Sequence, residues 1–221
     1  MITVHHLNNS RSQRVLWLLE ELELPYEIKF YERNKETMLA PPELFKVHPL
    51  GKSPVITDGD RTIAESGAIV DYIVSTYGAG RLIPAEGTPE RLRYIYWLHY
   101  AEGSAMPPLL MKLVFGVLPE RAPWFVKPIV KGISDTANKS FIDPQLKLHT
   151  GYWESELEKT EWFAGNAFTA ADIQMSFPLE AANSRADIAT ALPKVDAFLA
   201  RIHARQAYRR ALEKGGPYAY A

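Results

Sequence analysis

The 221-residue chain contains no cysteine, which excludes disulfide staples, thiolate metal sites and any mechanism in which the protein supplies its own thiol nucleophile. Sulfur chemistry, if there is any, must use a sulfur that arrives with a ligand. An excess of one charge is missing too. The formal net charge is -1, with no basic stripe, which argues against nucleic acid as a partner. No apolar run in the sequence is long enough to cross a bilayer, so no membrane role is expected. Met1 to His6 lacks a cationic leader followed by an apolar core, and the cytoplasm is the expected location. Neighbouring His5 and His6 point to opposite faces of a strand and cannot make a paired metal site. His99 and Glu102 lie one helical turn apart with no third ligand beside them, so no metal is expected.

At 47% hydrophobic residues the chain is large enough for one generous domain or two modest ones, and its patterning favours two. Ile2 to Leu7 reads as a strand; Val15, Leu18, Leu19 and Leu22 recur at helical spacing; Tyr26, Ile28 and Phe30 alternate at strand spacing. That is a βαβ unit. Ala40 to Phe45 suggests a short irregular helix, and Val55 to Asp58 and Arg61 to Ala64 flank Gly59-Asp60 as a hairpin. A further amphipathic helix, carrying Ile69, Val70, Ile73, Val74 and Tyr77, ends at Gly78. Beyond Gly80 a Pro and Gly segment is followed by helical periodicity alone, which puts a boundary between domains of 1–82 and 83–221.

The helix carrying Leu92, Ile95, Tyr96 and His99 continues past Met106-Pro107-Pro108 to Leu113, with a kink or break expected at the prolines. Gly151 to Trp162, Thr169 to Ala182 and Leu192 to His203 supply further helices. Thr169 and Asp172 have the spacing of a reciprocal capping box, with Phe168 and Ile173 as its hydrophobic staple. Loss of that cap should cost about 1 kcal/mol.

Two stretches carry the candidate site. In Leu50-Gly51-Lys52-Ser53-Pro54-Val55-Ile56 a proline opens an apolar strand, so it belongs at an edge or turn, and the backbone of Ser53 stays available for a ligand's own peptide bonds. In Ala64-Glu65-Ser66-Gly67 a strand hands over to a helix whose free amides and positive end attract a carboxylate. Together they suit a small acidic peptide.

These segments, with Ser10-Arg11-Ser12-Gln13-Arg14-Val15-Leu16-Trp17, Pro41-Pro42-Glu43-Leu44, His48-Pro49-Leu50-Gly51, His99-Tyr100-Ala101-Glu102-Gly103-Ser104 and the late capping box, resemble cytosolic glutathione transferases of the fungal and bacterial branch nearly end to end. The resemblance implies an α/β thioredoxin-like N-terminal domain that binds glutathione as co-substrate, an all-α C-terminal helical-bundle domain that helps bind a hydrophobic electrophile, and a homodimer. It implies that the Ser53 backbone, before a Pro54 that the family holds cis, pairs with the cysteinyl part of glutathione as an added strand. Glu65 would meet the γ-glutamyl ammonium, Ser66 its carboxylate, and Lys52 the glycyl carboxylate.

A glutathione thiol has a pKa of roughly 8.5, so making it mostly thiolate near neutrality means lowering it by about two units, or roughly 2.7 kcal/mol in favour of the anion. One hydroxyl donor with the amides and dipole at the start of the first helix suits that amount. Ser10 is the residue expected to be catalytic. With Gln13 three residues on, it also has the spacing of a capping box, and counting back from Val15 by the spacing of serine-type and cysteine-type relatives reaches Asn9 instead. Ser12 lies within reach as well. Tyr94, Tyr96, Trp97 and Tyr100 are candidates for an aromatic-substrate pocket or for ordinary core, and Met106, Leu110 and Leu113 for an apolar lining. The expected activity is attack of the thiolate on hydrophobic electrophiles or peroxides. A glutathione-dependent disulfide reductase and a non-catalytic module binding glutathione or a hydrophobic ligand remain as alternatives.

Overall fold

A computed structural model describes residues 1–185 and 192–220. Strands β1 (Ile2–Leu7), β2 (Tyr26–Tyr31), β3 (Val55–Asp58) and β4 (Arg61–Ala64) form one sheet in the order β2-β1-β3-β4. β1 runs parallel to β2 and antiparallel to β3, because helix α1 (Ser12–Glu21) makes the crossover while Gly59-Asp60 closes a tight hairpin. Helix α2 (Ser66–Tyr77) completes this thioredoxin-like layer. Every residue of α1 from Ser12 to Glu20 is buried, since the sheet covers one side and later helices the other.

The regular elements that follow among the described residues are all helices: α3 (Pro89–Tyr100), α4 (Met106–Arg121), α5 (Lys127–Ala137), α6 (Asp143–Lys159), α7 (Ala170–Arg185), α8 (Pro193–Ala204) and α9 (Gln206–Gly215). The main apolar core runs from Val4 and Leu16 through Trp97, Trp153, Phe163 and Phe198, and a small second cluster joins Leu7, Tyr31 and Leu44. At Met106-Pro107-Pro108 the helical path neither breaks nor ends at Leu113. A wide turn over Ala101–Ala105 absorbs the prolines, and the helix goes on to Arg121. Read as one path, Pro89–Arg121 has an 18-residue window of mean hydropathy 1.2, enough by length and composition to cross a bilayer, although the sequence holds no unbroken apolar run of that length.

The α7 box is half of what its spacing predicts. Asp172 Oδ2 accepts from the Thr169 backbone N–H at 2.8 Å, but the Thr169 hydroxyl donates to the same oxygen at 3.0 Å instead of accepting from the helix. The second carboxylate oxygen reaches the Phe163 N–H at 2.8 Å, so the aspartate ties the loop before α7 to the helix it opens. Phe168 packs against Trp17 and Trp162.

Candidate active site

The hairpin register decides which loops meet. Val55 lies opposite Ala64, so Ser53-Pro54 and Glu65-Ser66 emerge side by side from the same end of the β3–β4 pair. β3 is an inner strand, and Pro54 stands just outside it at a turn, where its missing N–H costs no ladder bond; the Ser53–Pro54 peptide is cis. Lys52, Ser53, Pro54, Glu65 and Ser66 line one cleft of about 200 Å³, together with Arg11 and Glu102. Glu65 stands before α2 with φ +72°, which turns the chain sharply enough to put Ser66 at the helix start.

At the end of β1 the chain turns through Asn9, whose φ of +48° is a region that asparagine tolerates better than most residues. Ser10 follows, 4% exposed. Its Oγ lies 3.4 Å from Ser53 Oγ and 2.8 Å from Ser12 Oγ, and it accepts the Ser12 backbone N–H at 3.2 Å. The Ser10–Gln13 box is therefore not closed: the Ser10 hydroxyl serves Ser12, and the buried Gln13 amide has no hydrogen-bond partner among the described residues. Asn9 is turned the other way, its Oδ1 accepting the Ala219 N–H of the C-terminal tail at 2.8 Å.

Sequence reasoning missed a cluster of charge beneath the cleft. Arg14, 2% exposed in the first turn of α1, donates to Ser66 Oγ at 3.1 Å, to the Gln174 carbonyl and to the Glu102 carboxylate. Arg11 Nε pairs with the other Glu102 oxygen at 3.0 Å. Burial alone would push the Glu102 carboxyl up, but the Arg14 and Arg11 guanidiniums outweigh it and hold it below the ordinary value. The local sequence carries little signal, since Arg14 follows the polar stretch Ser10 to Gln13 and only precedes the apolar run from Val15 to Leu19.

The remaining candidates divide between core and surface. His5 bonds Tyr31 Oη at 2.9 Å, and Trp97 packs inside an aromatic cluster with Tyr100, Tyr152 and Phe163, which makes most of that set core. Tyr96 is half exposed; Met106 is buried, whereas Leu110 and Leu113 stay exposed. A second cavity of about 540 Å³ opens between α2 and α3 beside Asp71, Arg91 and His99, and there the Tyr94 hydroxyl and the Gln174 amide are buried with no partner among the described residues. Among the described residues no group of three or more His, Asp or Glu is arranged to hold a metal.

Comparison with known proteins agrees with this geometry. Residues 1–75 match the family described as "Glutathione S-transferase, N-terminal domain", and residues 125–214 match "Glutathione S-transferase, C-terminal domain". The chain is 40% identical over 182 residues to glutathione S-transferase 3 of Schizosaccharomyces pombe, covering 82% of this chain and 74% of that one. It is 32% identical over 223 residues to glutathione S-transferase 1 of Saccharomyces cerevisiae, covering 97% and 95%. A crystal structure of a glutathione S-transferase from Actinobacillus pleuropneumoniae superposes with a TM-score of 0.82 at 32% identity, covering all of this chain and 95% of that one.

Proposed function

The chain belongs to the glutathione S-transferase family and is a glutathione transferase, and from that premise we propose that the cleft between Ser10, Ser53 and Ser66 holds glutathione with its sulfur at Ser10. The observation that carries this reading is the 3.4 Å approach of the Ser10 and Ser53 hydroxyls at one end of a cleft whose other walls are Lys52, Pro54, Glu65 and Ser66. A peptide laid along the Ser53 backbone in strand fashion brings its cysteinyl sulfur to that end. Its γ-glutamyl group then reaches Glu65 and Ser66, where opposite charge and the start of α2 receive the ammonium and the carboxylate. Lys52 complements the glycyl carboxylate. Asn9 takes part from the edge, holding the tail with the oxygen of its amide.

Ser10 serves as the donor to the thiolate. A hydrogen bond to a charged group contributes about 1.5–3 kcal/mol, so Ser10→Ala should lower kcat/KM for an aryl halide by roughly 10- to 100-fold. Glutathione affinity should change little. Asn9→Ala should have the smaller effect on turnover. Equal activity of both variants and the parent would remove Ser10 from its role. Glutathione binding without turnover, in the parent protein, would favour the binding module.

Three further assignments go with this reading. The boundary between the glutathione-binding and helical domains falls at residues 82 and 83, where the chain leaves the sheet layer through a Pro and Gly segment. A second copy packs on α2 and α3, where Leu92, Ile95 and Tyr96 are exposed beside the larger cavity; sedimentation at working concentration tests this. The cytoplasm is the place of action, an assignment that rests on the family.

A further inference from the structure

Behind Ser10 the structure holds a chain of buried groups that the activity just described does not use. Ser10 Oγ is 2.8 Å from Ser12 Oγ, and Ser12 Oγ is 2.9 Å from His6 Nδ1. The Gly215 backbone, at the end of α9, bears on the His6 ring and favours its protonated form. With Nδ1 turned to Ser12, Nε2 is the atom left for Gly215, and a carbonyl there keeps the neutral ring's proton on Nε2. Nδ1 must then accept. The Ser12 hydroxyl has one proton and two acceptors, Nδ1 at 2.9 Å and the Leu7 carbonyl at 3.3 Å, and the shorter bond takes it. Ser12 Oγ already accepts from the Leu7 N–H at 3.2 Å, so in the 2.8 Å contact between the serines Ser10 is the donor. The resting Ser10 hydroxyl points its proton inward and offers a lone pair outward.

We propose that Ser10, Ser12 and His6 form a proton relay that takes the thiol proton of glutathione inward as the thiolate forms. It rests on the sulfur lying at Ser10. The thiol donates to Ser10 Oγ; the S–H bond breaks as Ser10 gains that proton, Ser10 passes its own to Ser12, and Ser12 passes its own to His6 Nδ1. One S–H bond is lost and one N–H bond is gained, and no proton leaves the protein. Every hydroxyl in the chain is now reversed, so Ser10 donates to the thiolate it has just helped to make. Once the sulfur has bonded to its electrophile, the chain returns the proton outward, to the carbanion in an addition or to solvent when an anion leaves.

His6 suits this part because it is not charged in advance. Burial pulls its basicity down, partly offset by Gly215, so the ring takes a proton only when a negative sulfur forms at the other end. Among the described residues, the groups that meet the ring are Ser12 from α1, the Gly215 backbone from α9 and the edge-on Phe30 ring of β2 at 5.8 Å between centroids. On the β3 side the pairing with β1 ends at His5 and Val55. His6 and Ser12 are positioning residues that act through Ser10.

The test counts protons. Glutathione binding is followed near neutral pH by calorimetry in buffers of different ionisation enthalpy, with thiolate read by ultraviolet absorbance. The relay predicts thiolate with well under one proton released per site, and histidine NMR in which His6 becomes imidazolium with glutathione but stays neutral with S-methylglutathione. Ser12→Ala should lower glutathione affinity only by the few-fold that linkage requires while the thiolate fraction near neutrality falls about ten-fold, and Ser12→Thr should restore both. Thiolate formed with one proton released per site and a neutral His6 overturns the relay and leaves Ser10 as donor. No glutathione binding, or an acidified thiol in Ser10→Ala, overturns the assignment of Ser10 and the relay with it. The first two measurements use the unmodified protein, so a Ser12 variant that fails to fold leaves the proposal open to refutation.

Discussion

Asp172→Ala is expected to lower the unfolding free energy by about 3 kcal/mol near neutral pH, read by urea denaturation. The side chain is 0% exposed, and its carboxylate accepts from the Phe163 N–H, the Thr169 N–H and the Thr169 hydroxyl. Alanine would leave two buried backbone donors without partners, at about 1–3 kcal/mol each. Part of that loss is offset because the charged carboxylate is itself costly to bury. Burial raises its pKa from 3.8 to about 6, against the opposing bonds from Phe163 and Thr169. An acid whose folded pKa is raised contributes stability that is fully present below its unfolded value and is lost as pH rises through the folded one. The gap between parent and variant should therefore widen on acidification, by about 1.4 kcal/mol per pH unit between roughly pH 6 and pH 4. His5, His6 and His149, lowered chiefly by burial, slope the other way in both proteins, so the readout is the difference between the two curves. A gap that does not vary with pH would refute the raised carboxyl.

The sheet layer was legible because its apolar residues keep strict periods. β1, β2, the β3–β4 hairpin and α2 lie where alternation, helical spacing and Gly59-Asp60 put them. α5 and α9 were not legible in this way although both are amphipathic, because their apolar faces do not mark deep burial. In α5, Ile129 and Ile133 share a face yet remain exposed, so apolar spacing there does not report burial. α9 turns only Ala207, Tyr208, Ala211 and Gly215 inward, among many charges, and three of those four are too small to stand out. α6 begins at Asp143, well before Gly151, because the stretch ahead of Gly151 buries little besides Leu146 and Thr150. The cleft shows the same division. Lys52 to Pro54 and Glu65-Ser66 were readable because one short hairpin fixes their neighbourhood. The ion pair of Arg14 with Glu102 spans 88 positions, and neither residue's local pattern points to the other. Trp97 and its tyrosines were ambiguous for a related reason: aromatic spacing on a helix is the same whether the ring faces a ligand or Tyr152 and Phe163.

Arg14→Ala should cost about 3 kcal/mol, because it removes the buried side of a partly buried charge pair while Glu102, Ser66 and the Gln174 carbonyl remain. Arg11 keeps hold of one Glu102 oxygen at 3.0 Å, so the carboxylate is not left alone. Lysine at the same position restores the charge but not the planar fork that reaches three acceptors at once, so Arg14→Lys should recover only part of the loss. Glu102→Gln isolates the carboxylate. Since the guanidiniums hold that acid below its ordinary value, its contribution is present above the unfolded pKa and lost as pH falls through the folded one, and the glutamine variant should lose this acid-side dependence. Kinetics separate Arg14 from Ser10. Arg14 donates to Ser66 at 3.1 Å, and its hydrogen-bond partners among the described residues include neither Ser10 nor Ser12, so a folded Arg14→Lys protein should bind glutathione roughly ten-fold more weakly with kcat at saturation little changed. Ser10→Ala should do the reverse. If Arg14→Lys instead lowers kcat at saturating glutathione and leaves KM alone, Ser66 is not where the γ-glutamyl carboxylate is held, and Arg14 acts on the sulfur end of the cleft.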